Sequence, residues 1–290
     1  MPSLEIVART TGLAMVVTQP DKPSGRGQHL KPTPVKVAAL EMGVPVFTPQ
    51  KLEPALGQLA TVAPDLFVLA SYGKILPAPL LQIPKFGALN VHPSLLPLYR
   101  GATPIQSALR DGREVTGVTI IVMDAGMDTG GVVLQETTKI GANENYGILH
   151  DRLARQGAAM LCSALARVAS GDLEARPQTG EASITRPLRR SDLTAHWSWT
   201  ATDINNLIRA FSPKPSARAT LAGVPVKLLQ AHVASSVALG EPAAGRILAV
   251  EGDAALVACG EGILALERLT PPNRSAISGA AFVQSCGGLG

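Results

Sequence analysis

Two residues in the stretch "GALNVHPS" at 87–94, Asn90 and His92, have the types and spacing for chemistry. In a strand successive side chains alternate faces, so this pair shares one face and Val91 takes the other. An imidazole moves protons near neutral pH, and an amide donates a hydrogen bond to an oxygen that turns negative. The third group is Asp128, in the loop "AGMDTG" that follows an apolar run ending at Met123. A carboxylate there can fix an imidazole's tautomer and favour its charged form. Together they could move a proton and stabilise an oxygen that turns negative. Each also has a plainer role: a satisfied strand-end histidine, an Asn cap, a turn Asp. Ser94 is a poor nucleophile, since no G-x-S-x-G elbow surrounds it.

A second candidate is "TQPDKPSGRGQHLKPTPVK" at 18–36, with Lys22, Arg26, Lys31 and Lys36 against a single Asp. Pro and Gly on both sides of Arg26 mark an exposed loop. It reads either as a solvated surface loop or as a basic arm laid against a phosphate backbone.

The elements that must position these groups alternate in type. "LAMVVTQ" (13–19), "DLFVLASYG" (65–73) and "GALNVH" (87–92) read as short buried strands, and "PTPVKVAALEMG" (32–43) as a helix between them. Strands apolar on both faces and alternating with helices predict an α/β domain with a largely parallel sheet. Ligands of such sheets bind beyond the C-terminal strand ends, where Asn90 and His92 fall. "VTGVTIIVMD" (115–124) and "GVVLQETTKI" (131–140) read as two more strands. A helix over 146–170 follows, with Leu149, Leu153, Leu161, Leu165 and Val168 on one face. Residues 171–197 lack periodicity and read as a linker, 200–211 reads as a short helix, and the evenly spaced short strands after it predict a small β-barrel or sandwich. The expected organisation is therefore 1–175, a linker at 176–197, and a second domain at 198–290.

Composition narrows the classes. A chain of 290 residues favours two domains, and no run approaches the roughly 20 apolar residues of a membrane span. Cys162, Cys259 and Cys286 lie far apart with no CxxC, which points to a reduced, cytoplasmic protein without structural zinc. Aromatics are only 3%, too few for a surface that stacks many bases, and a net charge of +4 permits a polyanionic partner. No Gly-rich phosphate or dinucleotide loop follows any strand, which argues against a nucleotide-binding oxidoreductase.

"NVHPSLLPLYRGATPIQ" and "TGVTIIVMDAGMDTG" resemble the folate-dependent formyltransferases. "TQPDKPSGRG", "PTPVKVAALEMGVPVFTPQ", "SYGKILP", "LIRAFSPKP" and "GVPVKLLQA" extend the resemblance over nearly all of the chain. The basic loop and the C-terminal region select the branch whose acceptor is a tRNA. The resemblance implies a Rossmann-like catalytic domain and an OB-like β-barrel that helps to hold tRNA. It implies transfer of a formyl group from 10-formyltetrahydrofolate to the amino group of methionine on initiator tRNA, by a monomer with no membrane partner and no metal. By position, the family's catalytic Asn, His and Asp fall on Asn90, His92 and Asp128. The folate-contacting segment falls on Ser94, Leu95, Leu96 and Pro97, with Tyr72 and Gly73 of "SYGKILP" lining the pterin pocket. The loop arginine that meets the acceptor stem falls on Arg26, between Lys22 and Lys31. Relatives begin with a further apolar strand and a "GTPxFA"-like loop before "PSLEIVARTTG", so a sheet without that strand is expected here. His196 stands where relatives usually carry Asp, and Lys214 where a bulky aromatic is common. Two other readings stay open: a truncated, impaired relative that only binds RNA, and a formyltransferase for another amine.

Overall fold

The computed structural model describes residues 1–24, 29–235 and 243–288. In the first hundred residues it contains α1 (Pro2–Thr10), β1 (Val16–Val17), the hairpin strands β2 (Lys22–Ser24) and β3 (His29–Lys31), α2 (Pro34–Glu41) and β4 (Val46–Phe47). α3 (Leu56–Thr61), β5 (Phe67–Ala70), α4 (Ala78–Leu81), β6 (Ala88–His92) and β7 (Arg100–Gly101) follow. The middle holds α5 (Pro104–Arg110), β8 (Val115–Val122), β9 (Gly131–Lys139), α6 (Tyr146–Ser170) and β10 (Ile184–Thr185). The last third consists of α7 (Ala201–Phe211), β11 (Ala217–Leu221), β12 (Val224–Val233), β13 (Ile247–Glu251), β14 (Ala254–Ala258), β15 (Ile263–Thr270), β16 (Ile277–Ser278) and α8 (Gly279–Ser285).

Packing divides the chain into two units that interleave. Met1–Ala102, Gly117–Thr138 and Arg152–Ile184 form one, and Thr103–Thr116, Lys139–Asp151 and Thr185–Gly290 the other. A single break within 176–197 is the expectation from sequence. Within the second unit α5 packs on α7. The approach is close, since a side chain on Gly112, just beyond α5, would meet the Asn206 amide at 2.9 Å. Arg209 of α7 adds hydrogen bonds from Nε to the Glu144 carbonyl (3.0 Å) and from Nη2 to the Gly141 carbonyl (2.9 Å). Such nonlocal pairings leave no trace in local periodicity.

In the first unit β1 pairs parallel with β4, and a four-stranded sheet runs β5–β6–β8–β9. β5 and β6 are parallel, as the apolar runs predict, whereas β8 lies antiparallel to β6. α2 forms where Pro34 starts a helix and the Thr33 hydroxyl accepts from the Lys36 N–H at 3.1 Å, a standard N-cap. α6 buries Leu149, Leu153, Leu161 and Leu165. It also approaches β6 closely, because a Cβ on Gly157 would lie 2.6 Å from Val91.

In the second unit the sheet follows the path β11–β12–β15–β14–β13, with β16 on β15. Among the described residues β11 and β13 remain the two ends of that path, so these pairings make an open sheet and not a closed barrel. Register breaks around Gln230 and between Ile247 and Ala249 bend β12 and β13. Ile204, Leu207, Ile208 and Phe211 form the buried stripe of α7, and truncating one of these aliphatics to Ala costs about 2–5 kcal/mol.

Candidate active site

β5 and β6 run parallel with Leu69 opposite Asn90, so the loops that follow them leave the same end of the sheet. β8 flanks β6 on its other side, with His92 opposite Thr119. From the end of β8 the loop 123–130 turns back towards the end of β6. It is tied by the Asp124 carboxylate, which accepts from the Gly126 N–H (3.0 Å) and the Thr129 hydroxyl (2.6 Å). At its apex Asp128 has φ of 54°, in the left-handed region that non-Gly residues rarely occupy. Such strain persists where the surroundings hold it, often at functional sites.

The three groups singled out by type and spacing meet here. Asn90 donates from Nδ2 to Asp128 Oδ1 at 3.2 Å, and the Gly101 N–H donates to Asp128 Oδ2 at 2.8 Å. His92 Nδ1 lies 3.5 Å from the same Oδ2. The other ring nitrogen, Nε2, is 3.0 Å from the Tyr99 carbonyl. A carbonyl only accepts, so Nε2 carries the hydrogen and the neutral ring presents the lone pair of Nδ1. The sequence expectation gave the choice of tautomer to Asp128. The structure gives it to the Tyr99 backbone and leaves Asp128 to steady the charged ring. His92 is 4% exposed. Burial holds its pKa below the ordinary value, against the Asp128 charge and the Tyr99 carbonyl, which pull upward.

The segment expected to touch folate is itself well anchored. Thr119, fully buried, donates to the Ser94 carbonyl at 2.7 Å and accepts from the Leu96 N–H at 3.2 Å. Gln135 Nε2 adds bonds of 2.9 Å to the Leu96 carbonyl and the Thr119 hydroxyl. Ser94, Leu96 and Pro97 are buried and Leu95 half-buried. Ser94 donates to the Leu98 carbonyl at 2.5 Å, a structural use of its hydroxyl.

Tyr72 and Gly73 follow β5 at the same end of the sheet. Tyr72 packs against the apolar cluster of Leu52, Ala55, Leu59, Leu76 and Leu80. Its hydroxyl is buried without a hydrogen-bond partner, and burial raises its pKa. The Tyr72 carbonyl accepts from Gln19 Nε2 at 3.1 Å, and Gln19 Oε1 accepts from Lys22 Nζ at 2.5 Å. One side chain thus ties the base of the basic hairpin to the Tyr72 loop. Lys31 is exposed on β3, Lys36 pairs with Asp21 at 2.8 Å, and Arg26 lies outside the described residues.

Sequence reasoning missed the Tyr99 carbonyl and the Gly101 N–H, and as backbone groups they carry no residue signature. Among the described residues no three His, Cys, Asp or Glu side chains gather as a metal-ligand set, and no helix is long and apolar enough to cross a membrane.

A family model described as formyl transferase matches residues 7–165, and one described as formyl transferase, C-terminal domain, matches 187–287. A methionyl-tRNA formyltransferase of Geobacter metallireducens is 41% identical over 97% of this chain and 90% of its own length. One from Pseudomonas fluorescens is 44% identical, covering 91% of this chain and 83% of its own. Among solved structures, an N-formyltransferase of Helicobacter canadensis in complex with folinic acid and dTDP-3-aminofucose aligns with a TM-score of 0.65 at 19% identity, over 91% of this chain and 94% of that one. HypX from Aquifex aeolicus in complex with tetrahydrofolic acid aligns at 0.64 and 17% over 86% of this chain, which spans only 44% of HypX. At those identities the two structures speak to the fold alone.

Proposed function

Because this chain belongs to the formyl transferase family, we propose that it moves the formyl group of 10-formyltetrahydrofolate onto the amino group of methionyl initiator tRNA. The observation that carries this reading is the Asn90–Asp128–His92 constellation at the end of β6. The acceptor amine attacks the formyl carbon, a C–N bond forms, and the carbonyl oxygen becomes an oxyanion. Asn90 spends one N–H on Asp128 and keeps the other for that oxygen. The amine's proton passes to His92 Nδ1, which holds the lone pair, and arrives 3.5 Å from the Asp128 carboxylate. Collapse breaks the bond to N10 of the folate, and the same proton moves on to that nitrogen.

The residues present fit a folate donor. A buried hydroxyl without a partner, as at Tyr72, is unfavourable unless a ligand supplies one. The 94–97 segment, anchored by Thr119 and Gln135, would offer the donor a fixed wall. All three reacting groups come from one chain, so a monomer is sufficient, and the cytoplasm is where initiator tRNA is charged. The basic segment that carries Lys22, Arg26 and Lys31, together with the open sheet of the second unit as an OB-like surface, would hold the tRNA. Formyl transfer to methionyl initiator tRNA, measured for the chain and for His92→Ala, tests the proposal. Transfer only to an amino-sugar nucleotide, or tRNA binding with no transfer, would replace it with another acceptor or with a binding role.

A further inference from the structure

The segment expected to be a linker does something more specific beside the catalytic loop. Arg176 forms a two-way bridge with Val132, its carbonyl accepting at 2.7 Å and its N–H donating at 2.9 Å. Two residues on, Gln178 Nε2 donates to the Asp128 carbonyl and the Gly130 carbonyl, each at 2.8 Å. Its Oε1 accepts from Arg100 Nε at 3.1 Å and Nη2 at 2.6 Å. Ser183 closes the strap. Its hydroxyl accepts from the Tyr99 N–H at 2.8 Å and its carbonyl from the Arg100 N–H at 2.9 Å.

Asp128 and Tyr99 are the two groups that face the two nitrogens of His92. One side chain, Gln178, grips the backbone of the first and the neighbour of the second. We infer that Gln178 is a positioning residue, which holds the Asp128 loop at its working distance from His92 by clamping it to Arg100. An amide is needed, because only a group with both donor and acceptor can satisfy two carbonyls and a guanidinium at once. Its grip falls on the residue in the left-handed conformation, where the backbone would otherwise relax. Asp128 is the charged group facing His92, so a slackened loop weakens the support of the imidazolium and leaves the binding of donor and tRNA alone. This inference rests on the catalytic reading given above.

The test uses the full chain with Gln178→Glu and Gln178→Met. The first keeps size and the Arg100 partner but cannot donate to the two carbonyls; the second keeps size alone. In both, kcat for formyl transfer should fall by about tenfold or more, with KM for 10-formyltetrahydrofolate held within about twofold, as expected when a reacting group is misplaced. In Gln178→Met the acid limb of the pH profile should also move to lower pH, because the carboxylate that favours the charged ring has drawn away. If either variant fails to fold, the other carries the test. Wild-type kcat in both, or a loss that vanishes well below the melting temperature, would overturn the inference. His92→Ala is assayed alongside. If it is inactive while the Gln178 variants are normal, the inference alone fails; if it turns over normally, the catalytic reading falls and takes the inference with it.

Discussion

His92 donates from Nε2 to the carbonyl of Tyr99 at 3.0 Å, and that bond decides which ring nitrogen can act as a base. Because Nε2 keeps its hydrogen, the working lone pair is on Nδ1, the nitrogen that looks towards Asp128. Base and counter-charge are thereby aligned before any substrate arrives.

The pH profile follows from this burial. The pKa of His92 lies below its ordinary 6.5, chiefly because burial penalises the charged ring. The neutral ring is the competent base, so the acid limb that His92 gives kcat at saturating substrates should lie below 6.5. An acid limb above 6.5 would contradict the assignment. Asp128→Asn removes the charge that raises the pKa, so its limb should sit lower still while kcat drops.

Asn90→Ala should lower kcat by about a hundredfold or more, the loss typical of an oxyanion donor, with little change in KM. Steady-state kinetics at saturating tRNA separates the two parameters. An effect confined to KM would remove Asn90 from the transition state.

Thr119 is fully buried and serves Ser94, Leu96 and Gln135 at once. Thr119→Val keeps the shape but strands a buried carbonyl and a buried N–H, which should destabilise the protein by about 2–3 kcal/mol. Urea unfolding gives that number. The same variant should raise KM for the folate donor more than it lowers kcat. Unchanged folate KM would mean that the 94–97 segment does not contact the donor.

The basic hairpin should act on tRNA alone. Arg26→Ala and Lys31→Ala should each weaken tRNA binding, and each lost phosphate contact should lower the salt slope of binding by about one. Equal losses of folate and tRNA affinity would move these residues into the donor pocket.

That Asn90, His92 and Asp128 come together was legible because its signals are local. Strand alternation puts Asn90 and His92 on one face, and glycines mark the loop of Asp128. β5, β6, α6 and α7 were legible for the same reason, their periodicity being strong and short-range. The antiparallel turn of the sheet at β8 was not, since the direction of pairing is set by partners far along the chain. Gln178 was not legible either. It sits in a stretch without periodicity, and its importance comes from two carbonyls 48 and 50 residues away. The open path of the second sheet escaped for a related reason: short strands with Gly turns look alike whether or not the ends meet.

The interleaving of the two units bears on modularity. The second unit takes 103–116 and 139–151 from within the span that also builds the catalytic sheet. A transplant of 198–290 onto another enzyme would arrive without α5, leaving part of α7 uncovered, and Arg209 would lose the Gly141 and Glu144 carbonyls that it grips. The C-terminal unit is therefore no cassette. Its inheritance is bound to the stretch that completes it, and substitutions in α5 would be read out in the tail.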